Sequence, residues 1–201
     1  MALVQLQQAC FPGMATWKRE QIESRLRVFP EGQVAGGIDG RVAASGRGPI
    51  ADGDYASDWD DRRRVSDGGR IRNHHPRGDT LHGIEIVVRP GLRGLNLARR
   101  IDEARKQLCK DKNLRTIVIG GRIPGYGEHA DTTRAGESVD RVRRKVLFDP
   151  VPTTRLANGI PLKALIPNYW RESEVRGRMH SGCHGSSGAS PVTRAAGRRP
   201  F

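Results

Sequence analysis

The chain has 201 residues, enough for one domain with a real core, but only 36% are hydrophobic, and 25 glycines and 12 prolines imply much loop. Its 35 lysines and arginines against 22 acidic residues leave a net charge of +13, so polyanions will adhere whether or not binding them is the task. Three scattered cysteines without a C-x-x-C pair fit a reducing compartment better than a disulfide scaffold, and no apolar run reaches the length of a membrane span.

The opening residues lack a basic region leading into an apolar stretch, so no signal peptide is expected and the chain reads as cytoplasmic. After Phe11-Pro12-Gly13, residues 15–29 carry Ile22, Leu26 and Phe29 at helical spacing and predict a helix. Gln33 to Ile38 and Arg41 to Ser45 flank Asp39-Gly40, the chemistry of a tight hairpin turn. Residues 46–77 are polar and rich in Gly, Asp and Arg, which predicts a long surface loop. Residues 81–88 (LHGIEIVV) alternate and then become continuously apolar, as a half-buried and then buried strand does.

A turn over residues 89–94 leads into a helix reaching about residue 112, with Leu97, Ile101, Ala104 and Leu108 on one face. Residues 116–119 (TIVI) form a short buried strand, so strand, helix and strand make a βαβ unit whose two strands should be parallel. A further helix is expected over residues 134–147, ended by Pro150 and Pro152, and residues 162–166 form a last strand. Residues 171–201, rich in Gly, Ser, Arg and Ala, read as a disordered basic tail. The abrupt change of composition there is also what a shifted reading frame would produce.

The segment from Val88 to Ala98 joins a buried strand to a basic amphipathic helix. A helix start offers unpaired N–H groups and the positive end of a dipole, so it suits a pyrophosphate, although an ordinary strand-to-helix turn with solvated arginines would look the same. The pattern V-x-P-x-x-R-G-x-x-L-A resembles the acetyl-CoA loop of the GNAT superfamily, whose core is R/Q-x-x-G-x-G/A. Arg93 and Ala98 match the ends of that core, while Asn96 stands where the central glycine is usual. The segments ACFPGMATWKREQIESRLRVFPEGQ, RIRNHHPRGDTLHGIEIVV, GGRIPGYGEHAD and LANGIPLKALIPNYW are similar to a bacterial GNAT subgroup often joined to a carbon–nitrogen hydrolase domain.

The resemblance implies an α+β fold with a mixed, mostly antiparallel sheet, flanking helices and a central βαβ unit for acyl-CoA. Residues 1–170 would form this acyltransferase domain, with 171–201 as the tail. Acetyl-CoA is the implied co-substrate, its pantetheine on the strand at Ile86, Val87 and Val88. Its pyrophosphate would lie on the turn of Arg93, Gly94, Leu95, Asn96, Leu97, Ala98 and Arg99. Glu85 is the leading base for taking the amine's proton, a structural ion pair being the competing reading. Tyr126 is a candidate donor to the leaving thiolate, against simple packing, and His82 an alternative proton carrier.

No metal is expected. His74-His75 lack nearby ligand spacing, and His180, Cys183 and His184 sit in the tail without a fourth ligand. The favoured function is N-acetyl transfer to the amine of a small molecule or peptide. A non-catalytic CoA-binding module serving a carbon–nitrogen hydrolase partner is the alternative. Specific nucleic-acid binding ranks last, because aromatics are only 5% and no reading motif is present, leaving non-specific contact at most.

Overall fold

The computed structural model describes residues 2–52 and 66–166, and the backbone of 182–188. Two helices, α1 (Ala2–Cys10) and α2 (Arg19–Val28), precede the hairpin of β1 (Gln33–Ile38) and β2 (Arg41–Arg47). Asp39 (φ 50°) and Gly40 (φ 70°) both take the left-handed backbone that such a two-residue turn requires, as their identities predict. Of the loop expected over 46–77, the start belongs to β2 and Ile50–Ala51 forms β3, while 53–65 lie outside the described residues.

The apolar run at 81–88 is not one strand. It divides into β4 (Thr80–Gly83) and β5 (Glu85–Val88), which enter different sheets. Strand β5 pairs antiparallel with β2 in a three-stranded sheet of order β1-β2-β5, whereas β4 pairs parallel with β6 (Thr116–Arg122). Helix α3 (Leu97–Asp111) connects β5 to β6, so the expected parallel pairing holds for the first half of the run alone.

Beyond β6 come α4 (Ala135–Arg143), α5 (Pro150–Ala157) and β7 (Leu162–Ile166). Pro150 and Pro152 do not stop a helix as expected. The first opens α5, where a missing N–H costs nothing, and the Asp149 side chain caps it by accepting from Val151 N–H at 3.1 Å. Against the reading of 171–201 as a disordered tail, Gly182–Gly188 forms β8, between β6 and β7 in a five-stranded sheet of order β3-β4-β6-β8-β7. The remaining residues of that segment lie outside the described ones.

Packing fixes the three-stranded sheet from both sides. On one face Leu97 and Ile101 of α3 bury against Ala43 and Ala44 of β2. On the other, Leu6 and Cys10 of α1 bury against Val87 of β5. Full burial of such an aliphatic side chain contributes roughly 1.5–3 kcal/mol. The larger core joins Leu81 of β4, Ile117 and Ile119 of β6, and Cys109 at the far end of α3. Helix α3 therefore touches both sheets, and its N-terminus is held at a fixed place beside the end of β5.

Candidate functional site

The two sheets part where β4 gives way to β5. The β4–β6 ladder ends at the pair Gly83–Ile119, and β6 continues through Gly120–Arg122 paired with β8 on its other side. Strand β5 meanwhile is paired with β2 alone. Two strand edges thus face one another without a ladder, across a wedge-shaped opening. Arg89 N–H donates to Ala43 O at 2.9 Å, and Ala44 lies opposite Val88. By the alternation of an antiparallel ladder, the N–H and C=O groups of Val88 and Ile86 then point away from β2 and into the opening.

At the end of β5 the chain turns through the 3-10 segment Pro90–Leu92 into α3. Gly94 has φ 88°, and a Cβ there would meet no atom within 4 Å. Asn96 takes φ 56° and ψ 17°, the left-handed region that its glycine-like position in the motif requires, and it is the N-cap of α3 without a side-chain cap bond. Among the described residues, no N–H from Gly94 to Arg99 finds a backbone acceptor. Six consecutive donors therefore ring the positive end of a helix fifteen residues long. Arg93, Arg99 and Arg100 are exposed around them, with Arg99 paired to Glu103 at 3.0 Å. Leu97 and Ala98 begin the helix, and Leu95 stands exposed at 57%. The turn itself contains no carboxylate.

The face of β5 that meets α1 carries Glu85 and Val87. Glu85 Oε1 accepts from Trp17 Nε1 at 3.0 Å and forms an ion pair with Arg47 Nε at 3.0 Å, and Oε2 accepts from Gln7 Nε2 at 3.4 Å. Arg47 also donates through Nη2 to Ser45 Oγ at 2.9 Å. Beside this cluster Cys10 Sγ donates to Val88 O at 3.1 Å, on the edge facing the opening. Burial pushes the Cys10 thiol up, and the cations of Arg93 and Arg89 pull it the other way. Across the opening, the Arg122 guanidinium lies 5.2 Å from the Phe11 ring and Nη1 reaches Met14 Sδ at 3.9 Å. The α1–α2 connection thus bridges from the β5 side to the β6 side.

The sequence-derived candidates are only partly brought together. Ile86, Val88 and residues 93–99 share the opening and the turn beside it. His82 is on β4, in the other sheet from Glu85, and is 1% exposed. Tyr126 lies just beyond β6 in the 3-10 segment Pro124–Glu128, packed against Ile123, Val139 and Leu162. Asp149 holds that segment by accepting from Gly125 N–H at 2.7 Å, and burial raises its carboxyl above the ordinary range. His74 stacks on Phe29 and accepts from Ile50 N–H at 3.1 Å, and His75 pairs with Asp52 at 3.1 Å. No metal-holding cluster occurs among the described residues. His180 and the side chains of Cys183 and His184 fall outside them.

Gln7, Cys10, Trp17, Arg47 and Arg122 were not singled out from the sequence. Their partners lie far away along the chain, and the available signal is that Cys10 and Trp17 fall inside the first quoted segment of the resemblance and Arg122 inside the third.

No family model matches the chain. It is 40% identical over 167 residues to the probable hydrolase YhcX of Bacillus subtilis (strain 168), covering 83% of this chain and 33% of that protein. The chain thus spans about a third of that relative's length. It is 31% identical over 176 residues to the uncharacterized N-acetyltransferase YkwB of the same organism, covering 86% of this chain and 78% of that one. Among solved structures, the loading GNATL domain of CurA from Lyngbya majuscula superposes with TM-score 0.77 at 17% identity, over 93% of this chain and 91% of that one. The GphF GNAT-like decarboxylase in complex with isobutyryl-CoA gives 0.73 at 18%, over 93% of both chains. At such identities these likenesses speak for the fold, which is GNAT-like α+β.

Proposed function

The chain belongs to the GNAT superfamily of N-acetyltransferases, and from that premise we propose that it transfers an acetyl group from acetyl-CoA to the amine of a small molecule or peptide. The observation that carries this reading is the run of unpartnered N–H groups from Gly94 to Arg99, set beside the open edge of β5. Such a run suits a pyrophosphate, and Arg93, Arg99 and Arg100 add charge beside it, Arg99 while paired to Glu103. The N–H and C=O of Ile86 and the N–H of Val88, whose C=O already accepts from Cys10 Sγ, suit the amide-bearing pantetheine arm, which lies along Ile86, Val87 and Val88 in this reading.

When bound, the thioester supplies an activated acyl group. The amine nitrogen attacks its carbonyl, the C–S bond breaks, the CoA thiolate leaves, and the amine gives up a proton. Glu85 is our candidate to receive that proton through water, its carboxylate being fixed in place by Trp17, Arg47 and Gln7. Tyr126, at the far end of β6, is the candidate donor to the thiolate. His82 is too enclosed to meet an acceptor directly. No metal enters the scheme.

A second reading keeps the acetyl-CoA site and drops the chemistry, making the chain a regulatory module for a carbon–nitrogen hydrolase partner. It draws support from the match to a third of a probable hydrolase, and from a carboxylate already committed to two hydrogen-bond donors and an ion pair. We place the protein in the cytoplasm, with nucleic acid bound non-specifically at most. No helix among the described residues is long and apolar enough to cross a membrane. Isothermal titration with acetyl-CoA, followed by a free-thiol release assay over an amine panel, separates the readings. Binding with thiol release supports transfer, binding without release supports the regulatory module, and no binding rejects both.

A further inference from the structure

Arg105 lies in the middle of α3 with 2% of its surface exposed. Its Nη2 donates to two backbone carbonyls, Arg47 O of β2 at 2.8 Å and Glu85 O of β5 at 2.7 Å. Arg47 O also accepts from Ile84 N–H at 2.9 Å, and Ile84 is the single residue between β4 and β5. The guanidinium thus sits at the point where the apolar run bends out of one sheet into the other.

The backbone makes room for it. A Cβ on Gly83 would lie 3.2 Å from Nη1, and one on Gly46 would lie 3.2 Å from Nη2. The charge is anchored from behind by Asp102, whose Oδ1 is 3.7 Å from Nη1. Asp102 in turn accepts from Arg155 Nη1 at 2.9 and 2.8 Å and from Asn158 Nδ2 at 2.7 Å, at the end of α5. Burying a guanidinium is expensive, and a well-packed apolar side chain of similar volume commonly serves stability as well or better. A cation retained here points to a need for its donors.

We infer that Arg105 is a positioning residue that fixes the angle at which β5 leaves β4, and with it the seat of the pantetheine arm. This rests on the acetyl-CoA reading. Arg105 stands eight residues after Leu97, about 12 Å along the helix from the proposed pyrophosphate site. One rigid helix therefore meets the nucleotide half of the ligand at its N-terminus and sets the strand for the other half through Arg105.

The test is isothermal titration of the full chain and its R105M and R105K variants with two probes. One is CoA; the other is adenosine 3′-phosphate 5′-diphosphate, which is CoA without the pantetheine arm. The wild type is expected to bind CoA more tightly than the nucleotide. R105M should bind CoA about tenfold more weakly, the scale of one or two net hydrogen bonds, with nucleotide affinity held within about twofold. R105K should recover part of the loss, because an ammonium can still donate to one carbonyl. Unchanged CoA affinity in R105M overturns the inference, as does an equal loss for both probes or an R105K variant no better than R105M. If R105M does not fold, R105K decides, an unchanged ratio of the two affinities being the overturning result. Wild-type protein that binds neither probe overturns the acetyl-CoA reading itself and this inference with it.

Discussion

The indole Nε1 of Trp17 donates to Glu85 Oε1 at 3.0 Å, tying the segment before α2 to the first residue of β5 across 68 positions of sequence. Arg47 Nε meets the same oxygen at 3.0 Å, with its side chain 4% exposed and that of Glu85 10%. The Arg25 guanidinium closes over the Trp17 ring at 4.2 Å. The Glu85 carboxylate is therefore the rivet that holds the α1–α2 connection to the sheet.

Glu85→Gln separates these roles. The amide still accepts from Trp17 but leaves Arg47 buried without its counter-charge, which should cost about 3 kcal/mol. Thermal unfolding should register that loss, and adding Arg47→Met should recover part of it. As the base, Glu85 should also govern turnover, which drops about a hundredfold in Glu85→Gln while CoA affinity holds. Equal turnover in mutant and parent across the pH range would leave Glu85 with its structural role alone.

Arg93→Glu and two changes at Asn96 test the turn. An anion at position 93 beside a phosphate site should weaken CoA binding more than about tenfold. Asn96→Gly, which accepts φ 56° without strain, should bind CoA at least as well as the parent. Asn96→Val should lose about 1–2 kcal/mol of stability, since a β-branched residue resists the left-handed region. Unchanged CoA affinity in Arg93→Glu would remove the phosphate from this turn.

Much of this turn was legible in the sequence, because its chemistry is local. Glycine and asparagine at the positive-φ positions, a proline before them and an amphipathic helix after them lie within a dozen residues. Asp39-Gly40 and the span of α3 were legible for the same reason. The break at Ile84 was not, since an apolar run reads as one strand whether or not it bends. What bends it is Arg47 O and Arg105, both distant in sequence. Pro150 and Pro152 read as a stop in the sequence because a proline's place in a helix depends on which residue caps it, here Asp149. The helix Ala2–Cys10 gives a weak local signal and is fixed by burying Leu6 and Cys10 on Val87, a contact made across some eighty residues. The partners of Glu85 were hidden for that reason too.

Acid stability should respond to His74. Burial lowers its imidazole below the ordinary value of 6.5, while Glu31 works against that shift. The unfolded chain then takes up a proton as pH falls through 6.5 and the native state resists it. Stability is accordingly full above 6.5 and is lost as pH falls toward the lower native value. Urea unfolding at pH 5 to 8 should show this slope, and His74→Asn, whose side-chain oxygen can replace Nδ1 as acceptor for Ile50 N–H, should flatten it. An identical slope in the variant would assign the acid sensitivity elsewhere.

Gly48→Ala should be among the most damaging single changes. A Cβ at Gly48 would lie 1.7 Å from His82 O, a backbone atom of β4 that cannot rotate away. His82 N–H is itself committed to Pro49 O at 2.8 Å, so a shift would disturb the link beside β3 as well. Overpacking of this kind costs about 3 kcal/mol or more. Loss of soluble, cooperatively folding protein is the expected result, and near-parent stability would mean that this stretch yields more readily than its hydrogen bonds imply.

Truncation tests the strand that composition concealed. Gly182–Gly188 contributes backbone pairs to both neighbours, running from Thr116–Gly188 to Arg122–Gly182 on β6 and from Leu162–Gly185 to Ile166–Gly182 on β7. Its Gly- and Ser-rich text carries no apolar alternation, so its place is set by what it bridges. Removing residues 171–201 should strip β6 and β7 of their shared partner and expose two edges, inviting self-association. Removing only 189–201 keeps every described strand. The shorter deletion should remain near the parent in melting temperature, whereas the longer one should melt lower and form larger species in size-exclusion chromatography. If the longer deletion is as stable and monodisperse as the parent, β8 is dispensable to the sheet and the tail reading of 171–201 is restored.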